Sequence, residues 1–250
     1  MRFIDRSAAF GVRRARTFSR LCVLTVAIVL AGCWPRSIAT NVEIRSIAVV
    51  VAFPDKLHVM RSLLFDNEQT FVNVDWRLAS VIQARAEQVL ASSYWIAPLG
   101  LDPGGLTDDG TVTGPMDGST DEVAARLRSK VASGMVDAIV VMRARYGYGT
   151  HNGAYVEVSH EGSFIGIQLD IEVFDGKSFN LLAKTIAFLP PARGTIVSVS
   201  PAHRVIEIGY ATKSFESLPP AAREIAHRAI VGVIAESIPF TFRDIHLINK

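Results

Sequence analysis

The sequence predicts a mixed α/β domain of the α+β type, with a single mixed β-sheet of about five strands and helices packed on it. Two nearly continuous apolar runs, at 44–53 and 136–142, are typical of strands that are covered on both faces. Segments with helical spacing of apolar residues separate the first strands. A period-2 segment at 164–174, followed by Asp175-Gly176, predicts an antiparallel hairpin.

The expected element order is β-α-β-α-β-β-β-α, in which the first three strands alternate with helices. Apolar residues at helical spacing predict a helix over 76–92, and Asp75 is its expected N-cap. Ser119 and Glu122 have the spacing of a capping box, and they predict a helix that runs to Gly134. The remaining expected elements are a short edge strand at 94–99, a return strand at 181–189, and a last helix from Pro219-Pro220, capped by Ser217, to Pro239.

On the strand at 164–174, Gln168, Asp170 and Glu172 alternate with apolar residues, so this strand is expected to be half-exposed. The segments without a sustained period are a short helix or irregular cover at 55–74, a Gly- and Asp-rich loop at 100–118, a Gly- and Tyr-rich turn at 146–155, and short strand-like pieces at 196–199 and 205–208.

The N-terminal 33 residues have the three-part form of a secretory signal. Six arginines among the first 20 residues precede an apolar core, Leu21 to Leu30, and small residues follow it. Leu30-Ala31-Gly32-Cys33 resembles the lipobox of bacterial lipoproteins, in which the cysteine thiol receives a diacylglyceryl group and the chain is cleaved just before it. The resemblance implies lipidation at Cys33. Trp34 in place of an aspartate implies delivery to the outer membrane, facing the periplasm.

Three other interpretations of this segment remain open. A membrane-spanning helix needs about 20 apolar residues, and the uncharged stretch at 21–35 is shorter and contains Gly32 and Pro35. Cys33 could be an ordinary thiol beside a plain signal peptide, although its position behind Leu-Ala-Gly favours lipidation. Arg13-Arg14 resembles a twin-arginine signal, but the following residues match it imperfectly, so ordinary export ranks first.

Charge and cysteine content narrow the expected class of protein. The whole chain has 26 basic and 24 acidic residues, and removing the six arginines and one aspartate of 1–32 leaves a net charge of −3. We therefore expect no nucleic-acid partner. Cys22 and Cys33 are the only cysteines, so no internal disulfide is expected after cleavage. The expected domains are a signal peptide at 1–32, a lipidated tether at 33–42, a periplasmic α/β domain at 43–238 and a C-terminal tail at 239–250.

Three segments of the domain resemble a group of periplasmic bacterial lipoprotein domains. They are the opening strand at 46–53, the run at 136–141 that begins a buried strand, and the hairpin at 169–182 with its Asp-Gly turn. The group includes the curli-export lipoprotein, flagellar accessory lipoproteins and the N-terminal domain of the Tol-system propeller protein. The resemblance covers roughly 44–238 and implies an α/β fold in the cell envelope. The sequence shows no extra amphipathic hairpins of the kind that build a pore, which argues against a channel.

The sequence contains no established catalytic or metal-binding motif. It has no Gly-x-Ser-x-Gly elbow, no Gly-x-x-x-x-Gly-Lys loop and no His-Glu-x-x-His spacing, so no cofactor, catalytic residue or metal site is predicted. Asp170 and Glu172 project from one strand face and could form a carboxylate pair, but polar alternation on an exposed face explains them better. His151 and His160 are better explained by a solvated turn than by a metal site.

The Gly-rich turn at 146–155 carries the main candidate for a contact surface. Tyr146, Tyr148 and Tyr155 are aromatic residues in an expected exposed turn, a setting that favours protein or ligand contacts, and packing on the domain itself is the alternative. We therefore predict a non-enzymatic envelope lipoprotein, anchored by lipid on Cys33, that docks another envelope protein or associates with itself. The alternative is an anchored hydrolase acting on cell-wall or envelope glycans.

Overall fold

Two five-stranded mixed β-sheets and three helices make up the fold of the described residues. The computed structural model of the chain describes residues 38, 43–63, 66–101, 119–145, 153–159, 162–190, 202–206 and 219–248. The predicted α/β class is confirmed, but the strands form two sheets where the sequence predicts one.

Sheet A is built from the five strands that the sequence predicts. They are β1 (Ser46–Ala52), β4 (Trp95–Ile96), β5 (Ala138–Ala144), β8 (Leu169–Asp175) and β9 (Leu181–Ile186). The strand order is β4-β1-β5-β8-β9. β1 is parallel to β4 and β5, whereas β8 is antiparallel to β5 and β9. Every residue of β5 is buried, as expected for a central strand with both faces covered.

The sequence predicts sheet B only in part, through the beginning of the strand at 164–174 and the strand-like piece at 205–208. Sheet B contains β2 (Lys56–Leu63), β3 (Asp66–Asn73), β6 (Ala154–Ser159), β7 (Gly162–Ile167) and β10 (Ala202–Ile206). The order is β10-β7-β6-β2-β3, with β2 parallel to β6 and the other neighbours antiparallel. The expectation of a helix or irregular cover at 55–74 is therefore wrong, because this segment forms the β2-β3 hairpin.

The chain passes directly between the two sheets at three places. In sequence, β1 is joined to β2 by 53–55, β5 to β6 by 145–153 and β7 to β8 by Gln168, and we call these three connections the crossings. The strands on either side of these crossings have the same order of neighbours in both sheets. Between the second and third crossings, the N–H of Gln168 donates to the carbonyl of Gly153 at 2.7 Å, and the N–H of Arg145 donates to the carbonyl of Gln168 at 3.0 Å.

The predicted strand at 164–174 is thus two strands, each in a different sheet. The predicted apolar face is nevertheless continuous, because a single residue separates β7 from β8 and the period of two is preserved across it. Its members are all fully buried in one core: Ile165, Ile167, Leu169, Ile171 and Val173.

Three helices cover the sheets, namely α1 (Leu78–Leu90), α2 (Thr120–Lys130) and α3 (Pro220–Asp244). α1 packs on β1, and α3 packs beside α1 and against β7 and β10, so both helices bury their apolar sides in the main core. α2 covers the opposite face of sheet A through Val123, Ala124 and Leu127. The predicted capping box of α2 is confirmed, because Ser119 and Glu122 exchange side-chain to backbone hydrogen bonds.

The N-terminus of α1 is capped from a distance. Asp75 was the expected N-cap, but Arg77 occupies that position with φ of 53° and makes no side-chain capping bond. The carboxylate of Asp55 instead accepts hydrogen bonds from the backbone N–H groups of Arg77 at 3.0 Å and Leu78 at 3.2 Å. Asp55 therefore ties the β1–β2 crossing to the start of the helix.

α3 continues past Pro239, where the sequence predicted its end. Proline has no N–H, so the carbonyl four residues earlier, that of Ala235, loses its helical partner. The Nε of Arg85 on α1 donates to this carbonyl at 3.0 Å and replaces the lost bond. Beyond Pro239, the side chains of Phe242, Ile245 and Leu247 are fully buried. Residues 239–248 therefore form part of the core rather than a tail.

By length and composition, α3 could cross a membrane. The same composition is found in core helices of soluble domains. α3 packs in this domain through buried side chains, namely those of Ala226, Ile230, Val233, Ile234, Ser237, Ile238, Thr241 and Phe242.

The β8–β9 turn packs against the residues just before β5 and is hydrogen-bonded to them. Gly176 donates its N–H to the carbonyl of Asp137 at 2.8 Å. A Cβ at Gly176 would lie 1.8 Å from the carbonyl oxygen of Val136, so only glycine fits this position.

The carboxylate of Asp137 accepts hydrogen bonds from the N–H groups of Arg45 and Ser46 at 3.0 and 2.9 Å. These bonds, the one from Arg45 foremost, hold the pKa of Asp137 below its ordinary value.

We expect Asp55→Ala to lower the free energy of unfolding by about 1 kcal/mol, the usual cost of losing an N-cap. Urea denaturation of the purified domain measures this. Asp75→Ala is the matched control, and it should leave the unfolding free energy unchanged. An equal loss in both variants would contradict the assignment of Asp55 as the cap.

Gly176→Ala should destabilise the domain by roughly 2 kcal/mol, because the added methyl group displaces the backbone at Val136. Gly232→Ala on α3 is the control, since its Cβ would meet only the flexible end of Arg204, at 3.4 Å. The control should match or exceed wild-type stability, because alanine favours helix. Thermal unfolding followed by circular dichroism distinguishes the two, and a Gly176→Ala protein as stable as wild type would refute the contact.

Candidate functional site

Charged side chains gather on sheet A beside the N-terminal end of α2. Arg143 on β5, Glu172 on β8 and Lys184 on β9 share the sheet face that α2 covers, and Thr120 is the first residue of α2. Glu172 lies directly opposite Lys184 in the β8–β9 register. We call these four residues the ion-pair cluster.

One carboxylate oxygen is the centre of the ion-pair cluster. Oε1 of Glu172 lies 2.7 Å from Nζ of Lys184 and 3.2 Å from Nη2 of Arg143, and it accepts a hydrogen bond from Oγ1 of Thr120 at 2.7 Å. Nζ of Lys184 also donates to Oγ1 of Thr120 at 2.8 Å. Among the described residues, Oε2 of Glu172 accepts no hydrogen bond. The cluster therefore joins three strands to the first turn of α2 through one anion.

Burial and pairing act in opposite directions on Glu172. Its side chain is 0% exposed, and burial alone disfavours the charged form. The hydrogen bonds from Lys184 and Thr120 and the charge of Arg143 outweigh this effect, so the pKa of Glu172 is below its ordinary value. Glu172 is therefore an ionised structural group at neutral pH.

Asp170 lies two residues before Glu172 and has the opposite shift. Burial raises the pKa of Asp170, although Arg145, with Nε 3.9 Å from Oδ1 of Asp170, favours its charged form. Two carboxylates on one strand face thus have pKa values displaced in opposite directions, an arrangement also found in acid–base pairs of enzymes. The expectation that this strand is half-exposed is wrong at Glu172, because α2 and two cations cover that carboxylate.

The tyrosine candidates divide between described and undescribed residues. Tyr155 lies on β6 rather than on a turn, and it is 2% exposed. Its hydroxyl packs so close to Gly166 that a Cβ there would lie 2.7 Å away, and burial raises the pKa of the phenol. Tyr155 is therefore a core residue, which corrects its assignment to an exposed contact surface. Tyr146, Tyr148, His151, His160 and Cys33 lie outside the described residues.

The chain reaches the domain earlier than the expected tether of 33–42 implies. Ile38 is 7% exposed and packs in the main core. Its N–H donates to the carbonyl of Ile245, just after α3, at 3.1 Å. The hydroxyl of Tyr94 donates to the carbonyl of Leu247, and Trp95 follows it as an exposed residue of β4. We call the region of Ile38, Trp95 and Leu247 the tether end of the domain.

At the edge of sheet B, β3 presents an exposed strand. Among the described residues, β3 pairs only with β2, and its side chains from Glu68 to Phe71 are exposed. Phe71 is 52% exposed and stacks on His58 of β2, with 4.6 Å between ring centroids. An edge strand that carries an exposed aromatic ring is suited to accept an added strand. Sequence reasoning missed β3 because it assigned 55–74 to helix or irregular cover.

Glu172→Gln should destabilise the domain by roughly 3 kcal/mol at pH 7, because it leaves Arg143 and Lys184 without their anion. Glu43→Gln is the control, since Glu43 forms an exposed pair with Arg45. The control should be as stable as wild type in urea denaturation. A small effect of Glu172→Gln would show that the ion-pair cluster contributes little to folding.

The effect of Glu172→Gln should depend on pH. The folded pKa of Glu172 lies below the unfolded value of about 4.3, so its stabilisation is complete above that pH and disappears as pH falls through the folded pKa. The stability difference between wild type and variant should therefore be constant near neutral pH and narrow below about pH 4. Urea melts at several pH values measure this difference, and a gap that widens on acidification would contradict the assignment.

Comparisons with known proteins give distant likenesses only. No protein-family model and no curated protein matches the chain. Hypothetical protein CT253 from Chlamydia trachomatis is similar, at 12% identity and a TM-score of 0.35, over 78% of this chain and 98% of that chain. The PelC dodecamer from Paraburkholderia phytofirmans is similar at 10% identity and a TM-score of 0.29, over 81% and 93%. Lipoprotein GNA1162 from Neisseria meningitidis is similar at 13% and 0.29, over 57% and 80%.

Proposed function

We propose that this chain is a lipoprotein of the bacterial cell envelope that is anchored to the outer membrane and docks another envelope protein without catalysing a reaction. The observation that carries the proposal is Leu30-Ala31-Gly32-Cys33 behind a basic segment and a short apolar core. On this proposal, cleavage leaves Cys33 as the acylated N-terminal residue.

The lipid supplies the membrane affinity. Each buried acyl CH₂ group contributes about 0.8 kcal/mol, and a single chain binds only marginally, so stable anchoring needs two or more chains. A diacylglyceryl group on Cys33 provides two. The folded domain then needs no membrane-spanning segment of its own, in agreement with the burial of α3 in the core.

The docking role is supported by β3. An extended segment of a partner could add to its outer edge through main-chain hydrogen bonds, while Phe71 supplies an aromatic contact. Exposed long edge strands are usually protected by charge, proline or a bulge. The described side chains of β3 include one acidic residue, Glu68, beside Gln69, Thr70 and Phe71.

The alternative, a hydrolase of envelope glycans, would need a carboxyl group able to transfer a proton. Glu172 is held by Lys184, Arg143 and Thr120, which favours its structural role. If the docking proposal is correct, Glu172→Gln at a temperature where it is folded will not change glycan turnover by envelope preparations. Loss of a measurable glycan hydrolysis in that variant would favour the hydrolase.

Fatty-acid labelling tests the anchor. Wild-type protein should incorporate radiolabelled palmitate and lose residues 1–32, whereas Cys33→Ala should incorporate none, because the acylated thiol is absent. Cys22→Ala is the control, since Cys22 lies in the removed segment, and it should label like wild type. Mass spectrometry of wild-type protein with residues 1–32 still attached, or with an unmodified Cys33, would overturn the proposal.

Site-specific photo-crosslinking tests docking through β3. A benzophenone amino acid in place of Phe71 should give one discrete adduct with an envelope protein in intact cells, because that side chain is exposed on the edge strand β3. The same amino acid in place of Arg228, exposed on α3, is the control and should not give this adduct. The same adduct from both positions, or no adduct from Phe71, would contradict docking at β3.

A further inference from the structure

α1 and α3 run side by side in the same direction. Three contacts, one at each end and one in the middle, establish this parallel arrangement. Trp76, just before α1, stacks on His227 with ring centroids 5.0 Å apart. In the middle, Arg85 donates to the carbonyl of Ala235. Beyond both C-termini, the hydroxyl of Tyr94 donates to the carbonyl of Leu247. Trp76 and Trp95 therefore lie at opposite ends of this helix pair.

The polypeptide chain restricts which end can lie near the lipid. Ile38 is fixed at the tether end by its hydrogen bond to Ile245 and by burial. Cys33 and Ile38 are five Cα-to-Cα steps apart, and an extended chain advances at most about 3.6 Å per step. The Cα of Cys33 is thus within about 18 Å of the Cα of Ile38. The 13 residues of α1 span about 20 Å by themselves.

The tether end also presents side chains suited to a membrane interface. Trp95 is 65% exposed, and tryptophan is enriched where membranes meet water because its ring is apolar with one polar N–H. Met135 is 53% exposed and lies just before Asp137, whose N–H donates to the carbonyl of Ser46. Trp95 pairs with the same Ser46, so both exposed apolar side chains lie at the sheet end where β1 begins.

Together these observations point to an orientation. We infer that the tether end is the surface of the domain that contacts the lipid bilayer, with Trp95 in the headgroup region and Trp76 turned away from it. This inference rests on the proposed lipidation of Cys33. It assigns a bilayer as the partner of this surface.

Tryptophan quenching by brominated lipids tests the orientation with residues the chain already has. The chain contains three tryptophans, Trp34, Trp76 and Trp95, so variants that keep one and change the other two to phenylalanine each report one position. The lipidated protein, isolated from cell membranes, is reconstituted in vesicles of phosphatidylethanolamine and phosphatidylglycerol that contain acyl-brominated phosphatidylcholine. Circular dichroism confirms that each variant is folded.

We expect strong quenching of Trp34 and Trp95 and none of Trp76, because bromine quenches only at close range. Unquenched Trp95 in protein that floats with the vesicles would overturn the orientation, and so would equal quenching of Trp95 and Trp76. Failure of the protein to float, together with unquenched Trp34, would instead overturn the proposed anchoring. The two failures are therefore distinguishable in one experiment.

Discussion

A single apolar surface, continuous across both sheets, is the constraint on which the rest of the structure depends. On both sides of each of the three crossings, alternate residues of the flanking strands are buried in the same core. Phe53 and Leu57 flank the first crossing, Ala144 and Ala154 the second, and Ile167 and Leu169 the third. α1 and α3 bury their apolar sides on this surface, whereas α2 occupies the reverse face of sheet A alone.

Local sequence signals predicted sheet A because its strands and helices each carry their own period. The capping box at Ser119 and the Asp-Gly turn at 175–176 involve neighbouring residues, and both were confirmed. Sheet B depends on distant partners, since Leu57 pairs with Ala154. The cap of α1 is supplied by Asp55, and the carbonyl freed by Pro239 is satisfied by Arg85 on another helix. Such contacts are determined by tertiary packing, which single-sequence periodicity does not contain.

The candidate sites show the same division. Alternation along β8 correctly placed Asp170 and Glu172 on one face, and the hairpin could have indicated Lys184 as the cross-strand neighbour of Glu172. No pattern in the sequence indicates that Thr120 at the start of α2 covers that face. Tyr155 was misassigned because the Gly-rich segment before it concealed the start of β6. Cys33 is a prediction from the N-terminal motif alone.

The three crossings differ in how much change in chain length they can tolerate. Gln168 is the only residue between β7 and β8, and its backbone N–H and carbonyl are both hydrogen-bonded to the neighbouring crossing. One added or deleted residue there would exchange the inward and outward faces of one strand relative to the other. The charged side chains of Asp170 and Glu172 on β8 would then point into the core. The crossing at 145–153 is nine residues long and can absorb such a change. Length variation in homologous proteins should accordingly be concentrated in that crossing and be absent at Gln168.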